Sequence, residues 1–135
     1  MIVLDTNIVI SGYLEDDIDL SLLTQDELVL VPDIFELELL NVLRKYHYMR
    51  ALDIHTVDEL HQLSMSLIDE LIPAHDFIDT IRQISFALNH PIYDCTFLAL
   101  AKIRYARFVS FDKKLLAKAK SLHINTIDGN DFLKS

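Results

Sequence analysis

The chain predicts an α/β fold: a three-layer α/β/α sandwich around a central parallel sheet of four or five strands. Three observations carry this. Short apolar runs alternate with longer stretches whose apolar residues recur at spacings of three and four. The first runs are continuously apolar rather than alternating, as in strands buried on both faces, the habit of parallel sheets. Only two glycines and three prolines occur in 135 residues, which leaves little for long irregular connections. That length predicts one domain, residues 1–135, able to bury most of its apolar surface.

The elements follow in order. Met1–Leu4 (MIVL) is the first strand, ending at Asp5, and a helix is expected from Thr6 to Tyr13. Leu28–Val31 (LVLV) is the second strand, closed by Pro32. Asp33 stands as a helix N-cap with Glu36 in capping-box position, so a helix is expected from Ile34 to about His47. Two more helices are expected over Ile54–Ile72 and His75–Asn89, separated by Pro73. In the first of these, Leu60, Leu63, Leu67 and Leu71 form a core-facing stripe. After Pro91, Asp94 opens a nearly all-apolar helix to about Arg104. Arg107–Phe111 (RFVSF) is the third strand, followed by a helix from Asp112 to about Leu122. Ile124–Ile127 (INTI) is the fourth, followed by a short helix over Asp128–Leu133.

Composition excludes several classes. A formal charge of −9 argues against a protein that holds nucleic acid by charge alone. It suits an enzyme whose acids form a metal site, or a chain with a basic partner. Cys95 is the only cysteine, so no internal disulfide forms, in keeping with a reducing compartment. No apolar run approaches the roughly 20 residues of a membrane span, and the N-terminus lacks a signal-peptide pattern. A soluble, cytoplasmic protein is expected.

Four acids attract attention. Asp5 and Asp112 each follow a strand, and ligands of parallel α/β sheets bind beyond the carboxyl ends of strands. Each also has an ordinary reading as a helix N-cap. Asp94 opens an apolar helix and has the reading of a first-turn charge. Glu38 resists such readings. It lies in IFELELLNVL, a helix apolar nearly all round and therefore expected to be largely buried, where a carboxylate needs a partner or a cation. Glu36 on the same helix lies about 200° away and cannot share its face. Asn41 lies one turn beyond Glu38, placed to bond it or to orient a metal-bound water. Like charges about 4 Å apart repel by about 4 kcal/mol at an effective dielectric of 20, so four clustered acids call for cations. An all-oxygen set suits Mg²⁺ or Mn²⁺. The six histidines are scattered without zinc-motif spacing and read as ordinary core or surface residues.

Together, Met1–Asn7 (MIVLDTN), Val31–Leu43 (VPDIFELELLNVL), Tyr93–Ala101 (YDCTFLALA) and Val109–Asp112 (VSFD) resemble PIN-domain ribonucleases. The similarity is strongest to the VapC-type toxins of toxin–antitoxin pairs, and it spans essentially the whole chain in the family order. The resemblance implies a PIN-like fold and a site of Asp5, Glu38, Asp94 and Asp112 that holds Mg²⁺ or Mn²⁺ and hydrolyses RNA to a 5′-phosphate and a 3′-hydroxyl. Thr6 and Asn7 match the polar pair after the first acid, Asn41 the asparagine after the glutamate, and Ser110 a hydroxyl near Asp112. It further implies a VapB-type antitoxin as partner, gripped by the two middle helices, and a homodimer.

Three clusters of cations are candidate RNA contacts: Arg44, Lys45 and Arg50; Lys102, Arg104 and Arg107; and Lys113, Lys114, Lys118 and Lys120. Tyr46, Tyr48 and Tyr93 are candidate stacking platforms. Rival readings fit less well. A receiver domain needs paired acids after the first strand, and a haloacid-dehalogenase-like phosphatase needs Asp-x-Asp where this chain has Asp5-Thr6-Asn7. A small cysteine in an apolar helix, such as Cys95, is ordinarily a packing residue. A binding or scaffold module on the same fold, and a nuclease acting on DNA or flaps, remain as alternatives.

Overall fold

A computed structural model describes residues 1–135. Five strands form one parallel sheet in the order β3-β2-β1-β4-β5. They are β1 (Ile2–Leu4), β2 (Val29–Pro32), β3 (Glu70–Ile72), β4 (Arg107–Ser110) and β5 (Thr126–Asp128). β1 lies at the centre and is fully buried, with Ile2 opposite Val29 on one side and Arg107 on the other. The chain therefore builds outward from β1 through β2 to β3, then crosses back to β4 on β1's other side. The carboxyl ends of β1 and β4 frame the switch point at which such sheets open a crevice.

Eight helices cover the sheet: α1 (Thr6–Ile10), α2 (Leu20–Leu23), α3 (Ile34–Arg50), α4 (Ile54–Leu67), α5 (Ile78–Leu88), α6 (Ile92–Arg104), α7 (Lys113–Ser121) and α8 (Gly129–Lys134). The apolar helix α6 packs across β1, β2 and β4 and carries α5 on its outer side. It buries every residue from Cys95 to Ala101. α1, α3 and α4 pack in succession, and α7 and α8 cover β4 and β5. None of the helices is long and apolar enough to cross a membrane.

Several expectations change. The helix expected over Ile54–Ile72 ends at Leu67, and Glu70–Ile72 is a fifth, edge strand. Asp69 makes the exchange: its N–H donates to Val29 O (2.9 Å) and its carboxylate accepts from Val29 N–H (2.7 Å). This clamps the chain to β2 before the helix can continue. Leu71 consequently leaves the leucine stripe for an exposed strand position and Leu63 is half-exposed, so of the stripe Leu67 is buried and Leu60 half-buried against the core, with Val57 and Ser64 completing the buried face of α4. The expected capping box of α3 is not formed. Asp33 accepts from Ala74 N–H (3.1 Å), while Glu36 pairs with His61 of α4 (2.8 Å). α3 is also less buried than its composition suggests: Phe35, Leu39 and Leu43 face the core, whereas Leu37 is 69% exposed.

Smaller differences lie at element ends. α1 gives way to a π-helical turn over Ser11–Glu15, and a 3₁₀ turn over Ala74–Phe77 precedes α5. α6 starts at Ile92, with Pro91 as its N-cap. β5 starts two residues later and ends one later than expected, at Asp128, which also caps α8.

Gly129 opens α8 against the site's own framework. A Cβ there would stand 2.5 Å from Ile8 Cδ1 and 2.7 Å from Phe111 Cδ1. Ile8 is fully buried and cannot retreat. Gly129→Ala is therefore expected to destabilise the protein by about 1–3 kcal/mol through overpacking, measured as a lower denaturation midpoint in urea at an unchanged slope.

Candidate functional site

Asp5 sits where β1 ends. Its backbone N–H still pairs with Val109 O of β4 (3.0 Å), which fixes its height at the sheet's rim. Its side chain accepts from Thr6 N–H (2.9 Å) and from the hydroxyl of Ser110 (2.8 Å), the fully buried last residue of β4. The Ser110 hydroxyl also accepts from Asp112 N–H (3.0 Å). Ser110 thus ties the rims of the two central strands together and orients two of the predicted acids.

Asp112 caps α7, with one carboxylate oxygen accepting from Lys114 and Leu115 N–H (3.0 and 3.1 Å). The N-cap reading is therefore correct for Asp112, and its second oxygen has no protein hydrogen bond. Asp94 is not a cap. It stands in the first turn of α6, 42% exposed, with Oδ2 2.8 Å from His90 Nε2. Glu38 projects from the second turn of α3 and accepts from the Thr6 hydroxyl (3.3 Å).

All four acids line one cavity of about 140 Å³, with Thr6, Asn7, Val42, Ser110, Phe111 and Leu115 completing its wall. Asn41 is absent from that wall. It is exposed and accepts from the Arg44 guanidinium (3.2 and 3.3 Å), because the residue stacked above Glu38 toward the cavity is Val42. The preference for Glu38 over Glu36 agrees with this geometry, since Glu36 faces His61.

The cavity is electrostatically stressed. Burial first, and the charges of Asp94 and Asp112 second, raise the Asp5 carboxyl above the usual range despite its bonds to Ser110 and Thr6. Burial, then the charge of Asp5, push Glu38 up to about 7, with Asp94 adding to the rise and the Thr6 hydroxyl opposing it. The side chains do not close into a ready cage: no three histidine, cysteine or acidic residues stand together tightly enough to hold one ion. The donor set is nevertheless all hard oxygen. Its uncompensated negative charge is what a divalent cation relieves, and Mg²⁺ commonly completes its shell with water.

Two features escaped the sequence reading. His90 bridges Asp94 and Lys118, with Nδ1 2.7 Å from Lys118 Nζ. The only local signal was its position four residues before Asp94. A second hollow of about 400 Å³ adjoins the acidic cavity, sharing Asn7, Val42 and Phe111 and reaching Tyr46, whose hydroxyl donates to Glu15 (2.7 Å). The Arg50 guanidinium covers the Tyr46 ring at 4.7 Å.

The cation clusters separate. Arg107 begins β4 and pairs with Glu27, while Arg104 pairs with Glu70 (3.3 Å) and Lys102 donates to Leu122 O (2.7 Å). That group lies at the amino ends of the strands, opposite the cavity, and its charges are already engaged. Lys113 and Lys114 follow Asp112 directly, at the cavity's side of the sheet. Cys95 is buried and its thiol is pushed up by burial, as expected of a packing residue.

The PIN domain family model matches residues 2–121. The chain belongs to the PIN domain family. Members of this family are in general metal-dependent nucleases. No curated protein matches the sequence. Among solved structures, the crystal structure of PAE2754 from Pyrobaculum aerophilum is similar over 98% of this chain and 92% of its own, with a TM-score of 0.73 and 19% identity. That of FitAcB from Neisseria gonorrhoeae is similar over 96% and 98%, with a TM-score of 0.65 and 21% identity. At these identities the likeness establishes the shared fold, and this PIN domain's own chemistry must be argued from its side chains.

Proposed function

We propose that this PIN domain, residues 1–135, is a Mg²⁺- or Mn²⁺-dependent endoribonuclease with Asp5, Glu38, Asp94 and Asp112 as its metal-binding and catalytic acids. The observation that carries the reading is the convergence of these four carboxylates, from four separate segments, on one cavity at the sheet's switch point. Burial and mutual repulsion raise the carboxyls of Asp5 and Glu38 above their ordinary values, a strain that a scaffold would have no reason to maintain.

Bound ions would supply activation of a water and stabilisation of charge on the phosphate. The chain's own groups do the rest. Ser110 holds Asp5 and positions the backbone before Asp112. Thr6 orients Glu38. Asn7 stands on the wall shared by the cavity and the neighbouring hollow, placed to meet the substrate backbone. Lys113 and Lys114 offer cations to phosphates beside Asp112.

The biological reading is the toxin of a toxin–antitoxin pair, acting in the cytoplasm as a homodimer with a VapB-type antitoxin as partner. It is supported by the order of the sequence motifs and by the net charge of −9, which suits a basic partner. Exposed Leu37, Ile78, Ile92 and Tyr93 around an apolar hollow of about 340 Å³ offer a surface for such contacts.

The test is cleavage of single-stranded RNA and of matched DNA with Mg²⁺, Mn²⁺ or EDTA. RNA is expected to be cut with either metal, to leave a 5′-phosphate, and to survive in EDTA. Cleavage that persists in EDTA, or products ending in 2′,3′-cyclic phosphate, would exclude the mechanism. Preference for DNA would move the chain to the rival nuclease class.

A further inference from the structure

We propose that His90 and Lys118 form a positioning relay for Asp94, setting which of its oxygens is left for a metal ion in the acidic cavity. The inference rests on the metal-dependent reading above and goes beyond it by assigning two residues that line no part of the cavity wall.

The relay is built from both ends. Asn89 closes α5 in the left-handed conformation (φ 49°), and Pro91 caps α6. Between them the His90 backbone is held on both of its polar groups: its N–H donates to Ser85 O (3.1 Å) and its carbonyl accepts from the Ser85 hydroxyl (2.6 Å). The Cys95 thiol also points at that carbonyl (3.8 Å). The ring is only 12% exposed. Its Nε2 meets Asp94 Oδ2 at 2.8 Å and its Nδ1 meets Lys118 Nζ at 2.7 Å, reaching across to α7.

The partners decide the tautomer. A lysine ammonium only donates, so Nδ1 must accept, and the ring hydrogen is then on Nε2, where it donates to Asp94. The chain of donors runs in one direction, from the Lys118 cation through the imidazole to the carboxylate. Two consequences follow. Asp94 Oδ2 is engaged by His90, a residue absent from the cavity wall, while Oδ1 carries no protein hydrogen bond and is the oxygen left for a metal ion. A positive charge is also coupled to a cluster of four acids without a cation entering the cavity and competing with a metal. Partners that orient a metal-ligating side chain commonly govern metal affinity by about 10- to 100-fold.

A purely structural tie between α6 and α7 would show the same distances, so the test reads something such a tie does not move. Mn²⁺ binding is measured by calorimetry on the folded wild type and on His90→Leu, His90→Gln and Lys118→Met, with thermal unfolding of each in EDTA. His90→Leu is expected to bind Mn²⁺ about 10- to 100-fold more weakly. His90→Gln should bind close to wild type, since its amide carries an acceptor and a donor that replace Nδ1 and Nε2. Lys118→Met should fall between. Correlated ¹⁵N–¹H NMR of the wild-type imidazole should show the Nε2–H tautomer.

Equal Mn²⁺ affinity in wild type and His90→Leu, whatever the change in stability, would overturn the relay while leaving the nuclease reading intact. An Nδ1–H tautomer would overturn it even if His90→Leu failed to fold. A wild type that binds no Mn²⁺ would overturn both readings.

Discussion

Asp5→Asn should abolish metal-dependent RNA cleavage, by on the order of 10³-fold in kcat/KM, while the protein stays folded. Metal-held charge stabilisation at a phosphoryl centre is worth several kcal/mol, and each 1.36 kcal/mol is about tenfold. Asp5 is the acid whose neighbours least permit a substitute. It sits at the end of the central strand, bonded to Thr6 on one oxygen and to Ser110 on the other. An asparagine keeps the acceptor for Thr6 N–H and can face the Ser110 oxygen with its amide, so the fold has little to lose. It also removes a buried negative charge from beside Asp94 and Asp112. The measurement is single-turnover cleavage alongside thermal unfolding. A variant that cuts at more than about a tenth of the wild-type rate would show that Asp5 is only a cap.

Glu38→Gln should separate stability from function in the opposite directions. The Glu38 carboxyl is pushed up to about 7 from an ordinary 4.5, so between those values the folded protein holds a proton that the unfolded chain has released. Its contribution is complete below about 4.5 and is lost as pH rises through 7. Asp5, raised in the same direction, adds to the same slope. Glu38 is partly open to solvent, so screening limits its share to on the order of 1–2 kcal/mol. In EDTA the wild type is therefore expected to lose thermal stability between pH 5 and pH 8. Glu38→Gln should lose less and be the more stable protein at pH 8. Mg²⁺ should reverse that ranking, because a ligand that binds only the folded state stabilises it in proportion to its affinity. Wild-type and variant unfolding curves that stay parallel across this pH range would show that Glu38 carries no strain.

Much of this architecture was legible because its signals are local. MIVL followed by Asp5, and FVSF followed by Asp112, each state in a few residues that a buried strand ends and an acid stands at its rim. The helix α6 announces itself by unbroken apolarity. Composition points to Glu38 only in part: its helix is not buried all round, but the face bearing Glu38 does turn to the cavity. Leucines at 60, 63, 67 and 71 keep helical spacing straight into β3, and nothing within that segment tells Leu71 that Val29 waits for Asp69.

Sequence alone thus determined the parallel α/β layering and the rim positions of Asp5 and Asp112, because periodicity and burial act between near neighbours along the chain. Tertiary structure decided what depends on register between distant segments. It made Glu70–Ile72 an edge strand, turned Glu36 to His61, and carried Arg104 and Arg107 to the far end of the sheet. It also set His90 between Asp94 and Lys118, twenty-eight residues apart in sequence from its lysine. A hydrogen bond of that kind has no period, and only the fold, which sets the α5–α6 connection against α7, brings its partners within reach.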